Sequence, residues 1–182
     1  MPPADGKTGA NALDGVCREG SMKLRLLFEG QLRYDESTEA GVAASGASGD
    51  IASYAQGDGR IAGDRLRGNL RWTNHSRRRA DGVGLPHFDG VITTDDGADI
   101  LFSFRGYNFG VKEAAKPHPL QAYEQRATLA ALTLSAGDDR YRWVNRIFAV
   151  IEADVRPFAN PEHWRVKAFE CVNEITDEVT SP

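Results

Sequence analysis

The sequence predicts an all-β protein, a sandwich or a closed barrel of about eight short strands. Three observations predict it. Asp96-Gly97 stands between two runs of β-branched and aromatic residues within His87–Tyr107, the strongest short-range signal for a β-hairpin. Apolar and polar residues alternate cleanly in Leu24–Tyr34 and in Leu66–Trp72, the period of a half-buried strand. Turn residues recur at short intervals, and no long segment carries a helical period.

Residues 1–21 are rich in Gly, Ala and polar residues without a period and read as a flexible tail. In the first strand Leu24, Leu26, Phe28, Leu32 and Tyr34 share one face, with a bend or bulge at Gly30. Residues 35–50 read as a loop. Arg60–Gly63 follows, and then Leu66–Trp72, where Leu66, Gly68, Leu70 and Trp72 face one way. Thr73–Pro86 is a polar connection.

Pairing outward from Asp96-Gly97 sets Thr94 against Asp99, Thr93 against Ile100, Val91 against Phe102 and Asp89 against Phe104. One face then carries His87, Asp89, Val91, Thr93, Ile100, Phe102 and Phe104; the other carries Phe88, Ile92, Thr94, Asp99, Leu101, Ser103, Arg105 and Tyr107. A slip of one residue would reverse these faces. Residues 108–124, with Pro117-His118-Pro119, read as an excursion or lid. Arg126–Ser135 and Arg142–Ala153 form a second hairpin around Gly137-Asp138-Asp139. Arg165–Asn173 is a last strand, or a helix started by Asn160-Pro161-Glu162.

At 182 residues and 19.9 kDa the chain holds one domain, placed at residues 22–182. Charged residues at 26% and hydrophobic residues at 41% are ordinary globular values. A net charge of -4 argues against non-specific nucleic-acid binding. The arginines at 65, 67, 71, 77, 78 and 79, interleaved with a single aromatic, read as a solvated face. No run is long enough to span a bilayer, and Met1–Gly20 lacks the pattern of a secretory signal. Cys17 and Cys171 form neither metal-ligand spacing nor a disulfide framework. A reduced, cytoplasmic setting is the expectation.

Gly59–Gly68, Asp81-Gly82, Thr94–Ile100, Gly106 and Arg140–Asn145, in that order across residues 22–172, resemble the domain of unknown function 3237 family. The resemblance implies a single antiparallel β-barrel of about eight strands, similar in shape to the allene oxide cyclase and dirigent barrels and calycin-like in architecture. It implies no established activity. Asn74-His75 stands where the family tends to have Asp-Trp, and His87 and Asp89 stand at a strand position where it tends to have a small charged cluster.

His87 and Asp89, two apart on a strand, form a candidate general acid–base pair, because a carboxylate orients an imidazole and stabilises its charged form. Asn74 and His75 lie in a connection and can polarise an oxygen or move a proton. Phe102, Phe104, Trp72 and Trp143 are candidate apolar walls of a pocket. If the second hairpin face lines the interior, Arg105 and Tyr107 replace the His–Asp pair, one as an anion site and the other as an acid. His75, His87 and Asp89 come from segments without diagnostic metal spacing, so no metal is expected. No cofactor motif is present. These readings converge on a cofactor-free isomerase, cyclase or lyase acting on a small hydrophobic or aromatic metabolite. The alternatives are a carrier or sensor with the same pocket, and a packed-barrel interaction protein that forms a homo-oligomer through a sheet face.

Overall fold

A computed structural model describes residues 22–35, 42–46, 49–118, 121–156 and 164–173. The expected tail at 1–21 lies outside the described residues. The strands are β1 (Lys23–Tyr34), β2 (Val42–Ser45), β3 (Ile51–Ala62), β4 (Gly68–Asn74), β5 (Arg77–Arg78), β6 (Gly84–Leu85), β7 (His87–Thr94), β8 (Asp99–His118), β9 (Gln121–Ala136), β10 (Ala149–Val155) and β11 (Trp164–Val172). Eight of them close a barrel in the order β1–β11–β10–β9–β8–β7–β4–β3, with β3 returning to β1 through the register Glu29↔Ala62 to Tyr34↔Gly57. Every pairing is antiparallel. β5 and β6 prolong the β4–β7 hairpin toward one end, pairing with β3 and β8 respectively.

Side chains that point inward fill the barrel. Phe88, Ile61, Ile100 and Ala168 are completely buried. At the waist Phe28, Leu32, Leu70, Ile92, Phe102 and Phe104 help enclose a void of only about 20 Å³, room for about one water molecule. The centre is therefore a packed core and not a ligand chamber.

The β7–β8 hairpin forms as the Asp-Gly signal predicts, but its register differs by one residue. Thr94 bonds Ala98 through both backbone and side chain, leaving the three-residue loop Asp95-Asp96-Gly97, with Gly97 at φ +86°. That is the geometry of a type I turn followed by a left-handed glycine. Thr93 accordingly faces Asp99, Gly90 faces Phe102 and Phe88 faces Phe104. Phe88, Gly90, Ile92 and Thr94 point inward with Ile100, Phe102 and Phe104. His87, Asp89, Val91 and Thr93 lie outside with Leu101, Ser103, Arg105 and Tyr107.

Three further expectations are corrected. The bulge in β1 falls between Leu26 and Phe28, not at Gly30, so Leu24 and Leu26 are turned out and are 57% and 51% exposed. Residues 108–118 and 121–124 belong to β8 and β9, so the segment expected to be a lid continues the hairpin. Residues 139–146 form a 3-10 helix, so the strand expected from Arg142 begins only at Ala149. Asp138 caps it by accepting from the Arg140 amide, and Asn145 holds both the N–H and the C=O of Ala136. Val144 on this helix is buried in the core, and Tyr141 bonds Asp96 in the β7–β8 turn. The helix thus packs across one end of the barrel. At the other end of the chain's last segment, Trp164–Val172 is a strand, settling the strand-or-helix alternative.

Candidate functional site

β4 ends at Asn74 and β7 starts at His87, and the two ends are stitched together. The His75 amide donates to the His87 carbonyl at 2.9 Å, and the His87 amide donates to Asn74 Oδ1 at 3.1 Å. Asn74 points inward and is buried, so its carbonyl oxygen positions His87 from inside the wall and is not offered to a substrate. His87 and Asp89 project outward, since strand alternation places residues two apart on one face. His87 Nε2 lies 2.9 Å from Asp89 Oδ2, with side chains 34% and 48% exposed. The contact is off the hydrogen-bond direction, so the imidazole and the carboxylate pair by proximity and not through a formed hydrogen bond.

His75, Tyr54 and Gln56 extend this outer cluster. The His75 and His87 ring centroids are 6.4 Å apart, and the Tyr54 ring meets His75 edge-on at 5.0 Å. Tyr54 donates to Gln56 Oε1 at 2.9 Å, and Gln56 Nε2 donates to Asp35 Oδ2 at 3.1 Å. Tyr54 and Gln56 were not among the residues singled out in the sequence, because residues 51–59 contain Gly57 and Gly59 and carry no strand-like alternation. Among the described residues no three His, Cys, Asp or Glu side chains converge in a way that could hold a metal ion.

Asp89 and Gln56 stand in the wall of an open groove of about 1510 Å³ that runs around the outside of β1, β3, β4, β7, β8 and β9. Its floor follows one transverse row, Tyr34↔Gly57↔Trp72↔Gly90↔Phe102↔Leu134. The two glycines let the sheet sink there. A Cβ on Gly57 would lie 1.9 Å from the Arg33 carbonyl oxygen, and one on Gly90 would lie 2.2 Å from that of Arg71 and 2.7 Å from the Phe102 ring. Val91 and Leu101 add apolar surface to one side, Thr73 and Ser103 polar surface to the other.

The other sequence candidates disperse. Trp72 and Phe102 are core side chains whose outer edges reach the groove. Phe104 is buried and stacks on Phe88 at 4.2 Å. Trp143 sits on the 3-10 helix at the far end, under the Arg65 guanidinium at 3.8 Å. Arg105 is the register partner of His87, so it joins the His–Asp pair on the same face and does not replace it. Tyr107 is 52% exposed and stacks on Phe109.

With the fold and this surface defined, the class of protein is a small closed antiparallel β-barrel. No known family model and no curated protein matches the chain. Solved structures do. A β-barrel-like protein from Acinetobacter baumannii AYE matches with TM-score 0.65 and 16% identity, over 86% of this chain and 99% of that one. An enzyme from Penicillium herquei matches with TM-score 0.61 and 22% identity, over 85% and 98%. A conserved protein of unknown function from Rhodopseudomonas palustris matches with TM-score 0.66 and 13% identity, over 84% and 99%. The likeness is one of fold, and the barrels of this shape include both an enzyme and proteins of unknown function. No helix among the described residues is long and apolar enough to cross a membrane.

Proposed function

We propose that the protein is a cofactor-independent enzyme of the isomerase, cyclase or lyase type, acting by proton transfer on a small hydrophobic or aromatic metabolite held in the outer groove. The observation that carries this reading is the 2.9 Å pairing of His87 with Asp89, the member of the pair that lines that groove. Neutral His87 takes a proton from a carbon next to a carbonyl, and the electron pair moves to the oxygen as an enolate. Asp89 stabilises the imidazolium that forms. Arg105, opposite His87 on β8, supplies positive charge for the developing oxyanion. Where a double bond lies next to that carbon, return of the proton at the far end of the extended enolate completes an isomerisation with no net change in atoms or electrons. His75, packed on Tyr54, lies beside His87. We further propose membership in the domain of unknown function 3237 family, from the motif order described above, and a reducing cytoplasmic setting, with which the free buried thiol of Cys171 agrees.

The test is a screen of aromatic and polyketide-like carbonyl compounds for turnover by the wild type and by His87→Ala. The enzyme reading expects a loss in kcat of about 10²–10⁴ with binding largely kept. Ligand binding without turnover in the wild type would instead mean a carrier, and turnover that survives His87→Ala would remove His87 from the mechanism.

A further inference from the structure

The strand register fixes which outward side chains stand next to one another in the groove. On one side Arg33, Asp58, Arg71, Val91, Leu101 and Ser135 follow in turn across β1, β3, β4, β7, β8 and β9. Gln56, Thr73, Asp89 and Ser103 follow on the other. Five charged side chains line the groove: Arg33, Asp35, Asp58, Arg71 and Asp89. Four of them are already committed. Arg33 donates to Asp58 Oδ1 at 3.1 and 2.8 Å. Asp35 accepts from Gln56 at 3.1 Å, and Asp89 pairs with His87 at 2.9 Å. Arg71 is exposed, and its side chain makes no hydrogen bond or ion pair among the described residues.

Beside this uncommitted cation lies an apolar shelf. Val91 is the register partner of Arg71, Leu101 is the partner of Val91, and Leu101 is 63% exposed. Neighbouring strands stand about 4.8 Å apart, so Arg71, Val91 and Leu101 together span roughly 10 Å. The outer edges of Trp72 and Phe102 form the floor alongside. A guanidinium holds a carboxylate through two parallel N–H donors, and the shelf suits the body of an organic acid. The surrounding charge sets how much negative charge is welcome. Asp58 is the partner of Arg71 on β3, and Asp89 lies diagonally from it on β7. One free cation flanked by two carboxylates matches a single negative charge and disfavours the second charge of a phosphate.

We infer that the groove takes a hydrophobic or aromatic carboxylic acid, its carboxylate held by Arg71 and its body lying on Val91 and Leu101. The inference rests on the proposed function for the place of the ligand and its apolar character, and it adds the charged group that the ligand must carry. From Val91 the outer face of β7 runs on to Asp89 and then to His87, about 7 Å at each step. The anchoring carboxylate and the reacting carbonyl therefore belong to opposite ends of an elongated substrate.

The experiment titrates the full-length protein at low ionic strength with 2-naphthoate, 2-naphthamide and 2-naphthyl phosphate. Calorimetry gives the affinities, and the backbone amide resonances of Val91 and Leu101 give the place. The inference expects 2-naphthoate to bind and to shift both resonances, with the amide and the phosphate each about fivefold weaker or more. Arg71→Gln removes a side chain that holds nothing in the fold. It should lower the acid to the affinity of the amide and leave the amide unchanged. Leu101→Ser should weaken acid and amide alike. No binding of the acid, equal binding of acid and amide, or a phosphate at least as tight as the acid would each overturn the inference. So would an acid affinity unmoved by Arg71→Gln or by Leu101→Ser. The test contains no turnover step. Absence of catalysis by His87 therefore leaves it standing, and a failed titration does not decide whether uncharged compounds are turned over.

Discussion

Tyr34 and Trp164 are 130 residues apart in the chain and share one hydrogen bond, 3.1 Å long, across the seam where the first strand meets the last. The Trp164 N–H donates, so the hydroxyl proton of Tyr34 points elsewhere. Trp164→Phe keeps the aromatic packing against Phe88 and removes that donor. The expected cost is about 1 kcal/mol, read as a lowered urea midpoint with an unchanged m-value. A midpoint equal to that of the wild type would show that the bond contributes nothing.

Burial pushes the Tyr34 phenol above its ordinary value of 10.0, while the Trp164 hydrogen bond and the charge of Arg126 act the other way. A group whose folded value is raised holds its share of stability below its unfolded value, and that share disappears as pH climbs through the folded one. The protein should therefore lose stability in the alkaline range above the ordinary phenol value, and Tyr34→Phe should flatten that decline. Tyr141 and Cys171 are also raised by burial, so some slope persists in the variant. Urea midpoints at successive alkaline pH values give the comparison, and identical slopes for the two proteins would sink the assignment.

The acid side works in the opposite sense. The hydrogen bonds from Arg140 hold Asp138 down at about 2, and the Thr94 hydroxyl and then Tyr141 lower Asp96. Carboxylates lowered in this way give stability that is complete above their ordinary value of 3.8 and is lost as pH falls toward about 2. Arg140→Met should shrink this acid-labile share, because Arg140 bridges Asp138 and Asp96. Thermal melts between neutral and acid pH should show the two proteins converging at the acid end.

Gly90→Ala should cost roughly 1–3 kcal/mol, the usual range for overpacking, because the added methyl collides with the Arg71 carbonyl oxygen and the Phe102 ring. The groove floor would rise with it. A variant that melts like the wild type would mean that the sheet can relax at this point, and the glycine would then need another explanation.

Arg25 donates twice to Glu170 Oε2, at 3.2 and 2.9 Å, and Arg65 stands 3.8 Å from the same oxygen. The Glu170 side chain is only 3% exposed. Removing a partner from a buried charge is strongly destabilising, about 3–5 kcal/mol when the charge is left alone. With Arg65 still near, Arg25→Met should cost less than that and the double change to Arg25→Met and Arg65→Met more than the sum of the single ones. A double-mutant cycle in denaturant reads the coupling, and strict additivity would exclude a shared role.

Much of this was legible in the residues. The alternation of Leu66, Gly68, Leu70 and Trp72 gave the buried face of β4 correctly, and the two-residue spacing of His87 and Asp89 put them on one face. The face itself was misjudged, because a three-residue turn and a four-residue turn around Asp96-Gly97 differ by one register step, and that step exchanges inside for outside. β3 was mostly illegible: Gly57 and Gly59 serve close backbone approach and bury no side chain, so the pattern that marks a strand is missing. The 3-10 helix at 139–146 was hidden by Tyr141, Trp143 and Val144, residues equally at home in a strand. Tyr54 joined the site only through β3.

β1 is hydrogen-bonded to β3 on one side and to β11 on the other. During synthesis its second neighbour does not exist until residues 164–172 have left the ribosome. Up to that moment the nascent chain carries an open sheet with two unpaired margins and an uncovered apolar interior, the form most exposed to association with other chains. Closing the ring is therefore a late, long-range event, and the apolar interior is sealed only when the last strand is in place.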